Sequence, residues 1–297
     1  MSEQAITASP AGGLPQPVRS MWFRGPAGAR VCAHDFGGAG DLLIIAHAAG
    51  FCGGAYAPVA ATLSKRFRVW AVDLRGHGDT ALPPGDDFAW EGTAEDVLTV
   101  KRGLDSGPAI LFGHSLGGGA SLRAAALAPE SFSAVYAYEP AVLPHATSAD
   151  ESGELMGRQA RRRRAAFASR ADAIARLSAR VPYDTLSPAA LESFARYGLR
   201  ETDDGTVTLK CSPQHEQGVY EAAKKITVED ISGIDVPVIL GVGGRENGPA
   251  AQAVPLIAAA LPVVRTAGYP RLGHLGPLED PGAVATDALR HLAELAR

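Results

Sequence analysis

Cysteine is scarce in this chain, and what there is of it is scattered. Cys32, Cys52 and Cys211 are the only three in 297 residues, and no two stand in C-x-x-C spacing. Neither a disulfide framework nor a thiolate zinc site is indicated. Long apolar runs are also missing: the most apolar stretch, Leu42 to Ala46, is far short of the ~20 residues that span a bilayer. The amino-terminal residues have no apolar run behind a basic flank, which argues against a secretory leader. A soluble cytoplasmic protein is therefore the expectation. Excess charge of one sign is lacking as well. A formal net charge of −4 and a pI near 6.1 give no reason to invoke nucleic acid or an anionic membrane as partner. What remains is of ordinary globular usage, 46% apolar and 20% charged, and long enough to bury a full core in one large α/β domain or two small ones.

Residues 1–17 are rich in breakers and without periodicity, so they read as a flexible arm ahead of a domain spanning 18–297. Two strand-like pieces, Met21–Arg24 and Arg30–Phe36, flank the turn residues Gly25-Pro26-Ala27-Gly28 and predict a hairpin. Six short apolar runs follow: Leu42–Ala46, Arg68–Val72, Ala109–Phe112, Ser133–Tyr138, Val236–Val242 and Val263–Ala267. Runs that are apolar on both faces suit interior strands of a parallel sheet covered by helices. Their alternation with helical patterns predicts an α/β fold with a doubly wound, mostly parallel sheet. The alternation breaks between about 141 and 232, where helical, polar stretches dominate: Gly153–Arg180, Ser187–Arg196 and Gln217–Lys225, with Thr206–Lys210 as a possible extended piece. Such an insertion between two sheet strands reads as a helical lid, or alternatively as a second small domain. A final helix is expected over Pro281–Arg297.

Gly113-His114-Ser115-Leu116-Gly117 has the G-x-S-x-G pattern. Alone the pattern is weak, since this composition yields roughly 0.2 matches by chance. Its context is what counts. An apolar run precedes it and an Ala/Leu/Gly helix, Leu116–Leu127, follows, so the serine sits on a strand-to-helix turn. There, two glycines remove Cβ atoms that would collide, and the serine is forced into a strained conformation that lifts its Oγ above the sheet edge. The first amides of the new helix then face the same spot, where their dipole favours negative charge.

With these residues in view the chain resembles the α/β-hydrolase superfamily over nearly all of residues 20–297. His47-Ala48-Ala49-Gly50-Phe51 looks like the superfamily's H-G-x-x oxyanion loop, with Ala48 in place of the usual glycine. Asp73-Leu74-Arg75-Gly76-His77-Gly78-Asp79-Thr80 looks like its D-x-R-G-x-G-x-S turn. Gly273-His274, followed by Pro277, Glu279 and Pro281, looks like its catalytic histidine loop. The resemblance implies Ser115 as nucleophile and His274 as base, with His215, in the inserted region, as the rival. It implies an oxyanion hole made by the backbone N–H groups of Leu116 and Ala49. His47, His77 and His114 read as structural, and Asp73 to Thr80 as a turn supporting the site floor.

The third member departs from the pattern. The superfamily commonly has an aspartate after the strand that here is Val236–Val242, but Gly244-Arg245-Glu246-Asn247 puts an amide there, and an amide cannot carry the charge that steadies an imidazolium. Two carboxylates are left. Glu246 is adjacent, and Glu139 ends the preceding strand, where members resembling haloalkane dehalogenases place their acid. Glu139 is favoured, because Pro140 directly after it stops the strand and sets the turn. Arg161-Arg162-Arg163-Arg164 is read as part of a solvated helix rather than an anion site, since consecutive helical residues diverge. The expected activity is that of a serine hydrolase acting on an ester, lactone or related acyl compound, a small-molecule substrate, with no metal or organic cofactor implied. The alternatives are a perhydrolase, C–C hydrolase or lyase using the same triad, or a catalytically silent binding protein. Ser115 in the nucleophile's place excludes epoxide hydrolase and haloalkane dehalogenase chemistry, which need an aspartate there.

Overall fold

The computed structural model describes residues 14–83, 85, 88–104, 107–146 and 151–295. Most of the expected arm, residues 1–13, lies outside the described residues, and 14–17 have no regular structure. In chain order the strands are β1 (Arg19–Arg24), β2 (Arg30–Asp35), β3 (Leu42–Ala46), β4 (Arg68–Val72), β5 (Ala109–His114), β6 (Phe132–Tyr138), β7 (Ala166–Phe167), β8 (Leu199–Glu201), β9 (Val207–Leu209), β10 (Val238–Gly243) and β11 (Val264–Tyr269). The helices are α1 (Ala57–Leu63), α2 (Trp90–Leu104), α3 (Leu116–Leu127), α4 (Glu151–Arg161), α5 (Arg170–Leu177), α6 (Pro188–Tyr197), α7 (Pro213–Tyr220), α8 (Val228–Ile231), α9 (Pro249–Ala260), α10 (Gly276–Glu279) and α11 (Pro281–Leu295). No described helix is long and apolar enough to cross a membrane.

Eight strands form the central sheet in the order β1-β2-β4-β3-β5-β6-β10-β11. The β1–β2 and β2–β4 pairs are antiparallel and every other pair is parallel. Successive side chains along a strand point to opposite faces, and the core divides accordingly. Leu43, Ile45 and Phe112 pack with α1 and α11 on one face, while Leu42, Ile44 and Leu111 pack with α2, α3 and α9 on the other. This is the doubly wound α/β sheet read from the sequence. The expected strands coincide with β3 and β4 to the residue. The fifth starts two residues late, at Val238, because Pro237 has no N–H to give to the ladder. The Gly25–Gly28 turn is a short 3₁₀ turn, Pro26–Gly28, joining the β1–β2 hairpin.

The segment between β6 and β10 differs in detail from the expectation. It contains a three-stranded antiparallel sheet, β7-β9-β8, of which the sequence pattern marks only β9. The helical stretch expected over Gly153–Arg180 consists of two helices, α4 and α5, with β7 between them. Ser169 caps the second by accepting from the Asp172 N–H, a Ser-x-x-Asp signal obscured by the surrounding run of Arg and Ala. The helix expected at Gln217–Lys225 starts earlier, at Pro213, with Ser212 as its cap and proline in the first turn. The arginine run does not lie within one helix. α4 ends at Arg161, and Arg163 turns inward to the Glu216 carboxylate and the Tyr183 hydroxyl.

One close approach controls how α3 sits on the sheet. A Cβ on Gly117 would lie 2.2 Å from the Ala46 carbonyl oxygen, and one on Gly113 would lie 2.5 Å from the Gly117 carbonyl oxygen. Both obstacles are backbone, so neither can swing aside. Gly117→Ala is expected to cost about 3 kcal/mol of stability, the upper part of the range for overpacking. Urea unfolding checks this, and a loss below about 1 kcal/mol would mean that α3 shifts freely on β3.

Candidate active site

The carboxyl ends of the parallel strands are where loops can gather side chains over one edge of the sheet. Ser115 stands at the end of β5 with φ 52° and ψ −117°, a conformation that L side chains rarely adopt. It is held there because its N–H donates to the Tyr138 carbonyl at 3.0 Å and its own carbonyl accepts from the N–H of Ala141 at 2.8 Å. Glu139, one residue beyond β6, also has positive φ, 38°. Its side chain is buried, with Oε1 accepting from the Gly243 N–H at 2.8 Å. Its other oxygen, Oε2, lies 2.7 Å from His274 Nδ1. His274 Nε2 lies 3.1 Å from Ser115 Oγ. Serine, imidazole and carboxylate are thus in one line of hydrogen bonds. The loop carrying His274 is held from several sides. The Tyr138 hydroxyl donates to the Gly273 carbonyl at 2.9 Å, and the Gly273 N–H donates to Glu279, which also pairs with Arg245.

Glu246 does not reach His274 in this arrangement. It is exposed, pairs with Arg245, and lies over Gly273. Asn247 is exposed as well. His215 packs against Gly76 and the Phe88 ring, and no described hydrogen bond joins its side chain to this line.

The two expected oxyanion donors are backbone groups, the N–H of Leu116 at the start of α3 and that of Ala49 in the loop after β3. In α3, Gly117 N–H is taken by the His47 carbonyl and Gly119 N–H by the Ser115 carbonyl. Among the described hydrogen bonds none uses the N–H of Leu116 or of Ala49. The Ala48–Ala49 peptide is oriented by His47, whose Nδ1–H donates to the Ala48 carbonyl at 2.8 Å while its Nε2 accepts from Leu74 N–H at 3.0 Å. A trans peptide points its C=O and N–H in opposite directions, so anchoring this carbonyl aims the Ala49 N–H the other way. His77 does a similar job next door: Nδ1–H donates to the Arg75 carbonyl and Nε2 accepts from Gly50 N–H.

Below the floor, Asp73 accepts from Gly53 N–H, Asp79 N–H and His34 Nε2 at 2.7, 2.8 and 3.0 Å. Burial would drive His34 down, but the carboxylate beside it overrides this and holds the imidazole above its ordinary value. Burial likewise works to raise Asp73, and the His34 cation prevails in keeping it well below the carboxylate range. Cys32, His34, Asp73 and Asp79 bring ligand atoms within 4.8 Å of one another. This donor set does not suit a metal ion. Burial pushes the Cys32 thiol far up, so it is not a thiolate, and the Asp73 oxygens are already occupied.

The inserted segment contacts both the loop after β3 and the stretch that follows His274. Phe51, in the loop after β3, packs on the rings of Tyr183 and Phe194 at 5.6 and 5.3 Å. Arg163 and Glu216 abut Gly50, and Tyr197 covers Gly54. Ser187 N–H donates to the Leu278 carbonyl at 2.9 Å, beyond His274. Of the apolar residues singled out in this segment, Phe167, Tyr183 and Phe194 are buried, Tyr197 is half-buried, and Leu155 is exposed on α4.

The sheet order, the serine elbow and the histidine loop define the α/β-hydrolase class of protein. The chain belongs to the alpha/beta hydrolase family, which it matches over residues 42–288. It is similar to the 2-(acetamidomethylene)succinate hydrolase of Mesorhizobium japonicum, 36% identical over 102 residues, which is 34% of this chain and 36% of that protein. It is also similar to protein phosphatase methylesterase 1 of Mus musculus, 34% identical over 95 residues, 30% of this chain and 25% of that protein. The matches therefore span only about a quarter to a third of those relatives. Among solved structures, an E-2-(acetamidomethylene)succinate hydrolase superposes with a TM-score of 0.78 at 22% identity, over 93% of this chain and 100% of that one. A thermophilic esterase from Thermogutta terrifontis gives 0.71 at 20%, over 93% and 99%. At these identities the structures show the shared fold.

The imidazoles around the site have a consequence for stability. Burial pushes His47 down, burial together with His47 takes His77 to about 3, and burial together with His274 takes His114 well down. Each of these rings is neutral in the fold but takes up a proton on unfolding once the pH is below about 6.5, the free value. Unfolding then binds protons, so stability falls as pH falls, by on the order of 1.4 kcal/mol per pH unit for each ring. His34, whose value is raised, contributes stability that is fully present below the free value, so it does not offset this loss. Urea midpoints are expected to decline steadily from pH 6.5 to 5, and a flat profile would mean that these rings are protonated in the fold.

Proposed function

We propose that this protein is a serine hydrolase that cleaves a carboxylic ester, lactone or related small acyl compound through an acyl-enzyme intermediate. The observation that carries this reading is the line Ser115 Oγ, His274 Nε2, His274 Nδ1 and Glu139 Oε2, with separations of 3.1 and 2.7 Å. His274 takes the proton of Ser115 as its Oγ attacks the acyl carbon, then returns that proton to the leaving group. The carboxylate of Glu139 keeps Nδ1 protonated and stabilises the imidazolium that forms. Oxyanion charge meets the N–H groups of Leu116 and Ala49, where loss of one donor typically costs ~10²–10³ in rate. Water, deprotonated by the same imidazole, then releases the acid. The inserted helices of about 141–232 serve as a lid that shapes the substrate pocket. Their contacts with the oxyanion loop and with Leu278 support that role.

The test is covalent labelling followed by three variants. A fluorophosphonate, which traps a base-activated hydroxyl, is expected to modify Ser115 and no other residue. Ser115→Ala should then lose turnover of a chromogenic short-chain ester while staying folded. Glu139→Gln keeps the shape but removes the charge, for which a loss of ~10⁴ in kcat is expected from analogous changes. Glu246→Gln should leave kcat close to wild type. A label elsewhere, or a severe loss in Glu246→Gln with Glu139→Gln near wild type, would reverse the assignment.

A further inference from the structure

The variable position of the serine elbow is occupied by His114, and its ring is fully buried. Its two nitrogens have unlike partners. Nε2 lies 2.8 Å from the backbone carbonyl oxygen of His274, and Nδ1 lies 2.5 Å from the hydroxyl of Tyr56, itself fully buried. The same hydroxyl accepts from the N–H of Ala48 at 3.1 Å. Both ends of this chain are backbone and cannot change roles: an amide N–H only donates and a carbonyl only accepts. The direction is therefore forced. His274 C=O requires the proton on Nε2, which leaves Nδ1 as an acceptor. Tyr56 O–H must donate to Nδ1, and its oxygen is then free to accept from Ala48. Burial, reinforced by the His274 ring 5.3 Å away, holds the imidazole neutral, as this direction demands.

We propose, resting on the serine-hydrolase reading above, that His114 and Tyr56 are positioning residues that lock the oxyanion loop to the base loop through the one-way relay Ala48 N–H, Tyr56 O–H, His114, His274 C=O. The relay runs beneath the nucleophile. One end fixes the His47–Ala48 peptide, the neighbour of the Ala48–Ala49 peptide whose N–H would meet the developing oxyanion. The other fixes the backbone of the base. His114 itself is bonded to Ser115, so donor, nucleophile and base share one reference point. Displacement of a reacting group by about 1 Å can cost ~10² in rate, which is the scale on which such a lock acts.

The experiment compares Tyr56→Phe, His114→Leu, His114→Gln and the double variant Tyr56→Phe/His114→Leu on a chromogenic short-chain ester, with fluorophosphonate labelling alongside. Tyr56→Phe and His114→Leu are each expected to lower kcat by ~10- to 100-fold with KM little changed. The double variant should lose no more than the worse single one, because the relay acts as a unit. His114→Gln, whose amide joins an NH₂ donor group to a carbonyl acceptor, should recover much of the loss; a packing role alone would favour leucine at least equally. Unchanged kcat in folded Tyr56→Phe, losses that add, or leucine matching glutamine would each overturn the relay. Where variants fail to fold, ¹⁵N NMR of the wild type decides. Neutral His114 protonated on Nε2 between pH 6 and 8 is the expected result, and protonation on Nδ1 or on both nitrogens overturns it. If wild-type Ser115 takes no label, the hydrolase reading fails instead, and the NMR result still reports on the relay.

Discussion

The pairing of β5 with β6 places His114 opposite Tyr138, and the rest of the site follows from that register. Ser115 and Glu139 are the next residues on two adjacent parallel strands, so hydroxyl and carboxylate are brought close by the ladder before any side chain is oriented. The Ser115 N–H bond to the Tyr138 carbonyl extends the ladder by one step past the strand end. On the other side of β6, Gly241 of β10 pairs with Tyr138, and two residues further on the Gly243 N–H meets Glu139 Oε1. A one-residue slip in either pairing would turn these side chains to the opposite face. Both residues at the strand ends have positive φ, a local cost tolerated because the surrounding hydrogen bonds determine their geometry.

A carboxylate at the end of β6 rather than at the end of β10 meets the same histidine. His274 follows β11, beyond β10 in the sheet, and its loop folds back across the strand ends, where Tyr138, Glu279 and His114 hold it. An imidazole so placed can be met on Nδ1 from either neighbouring strand. In this chain the approach from β10 presents an amide and an exposed glutamate, and the approach from β6 presents a buried carboxylate already tied to a backbone N–H. Pre-tying matters, since a carboxylate with one oxygen fixed loses little freedom when the other takes the imidazole.

The polar groups beneath the site divide by charge state in a way that suits their tasks. Asp73 is ionised and takes three donors, one of them His34, and so organises the turn from Asp73 to Thr80. His47, His77 and His114 are kept neutral by burial, and each uses one nitrogen to donate and one to accept. Neutral rings add rigidity without a fixed positive charge beside His274, where such a charge would oppose formation of the imidazolium.

Much of the fold is legible in the chain itself. Short runs such as Leu42–Ala46 and Arg68–Val72 are apolar on both faces and bounded by turn residues, which is what a strand between two helical layers requires. The Gly113-x-Ser115-x-Gly117 turn and the Glu139-Pro140 strand end announce themselves locally, because tight backbone geometry needs particular residues. The inserted segment was less legible: Arg and Ala suit a helix anywhere, so the break before Ser169 and the small sheet β7-β9-β8 leave little trace in periodicity. Tyr56 carries no local signal at all, and His114 carries only that of occupying the elbow. What the sequence by itself determined is the alternation of elements and the candidate residues of the site, since these depend on neighbours along the chain. Tertiary structure alone decided which carboxylate meets His274, which peptide His47 turns, and which way the Tyr56–His114 hydrogen bonds run. Those depend on strand register and on partners up to 160 residues apart, and a hydrogen bond acquires its direction only when both of its ends are in place.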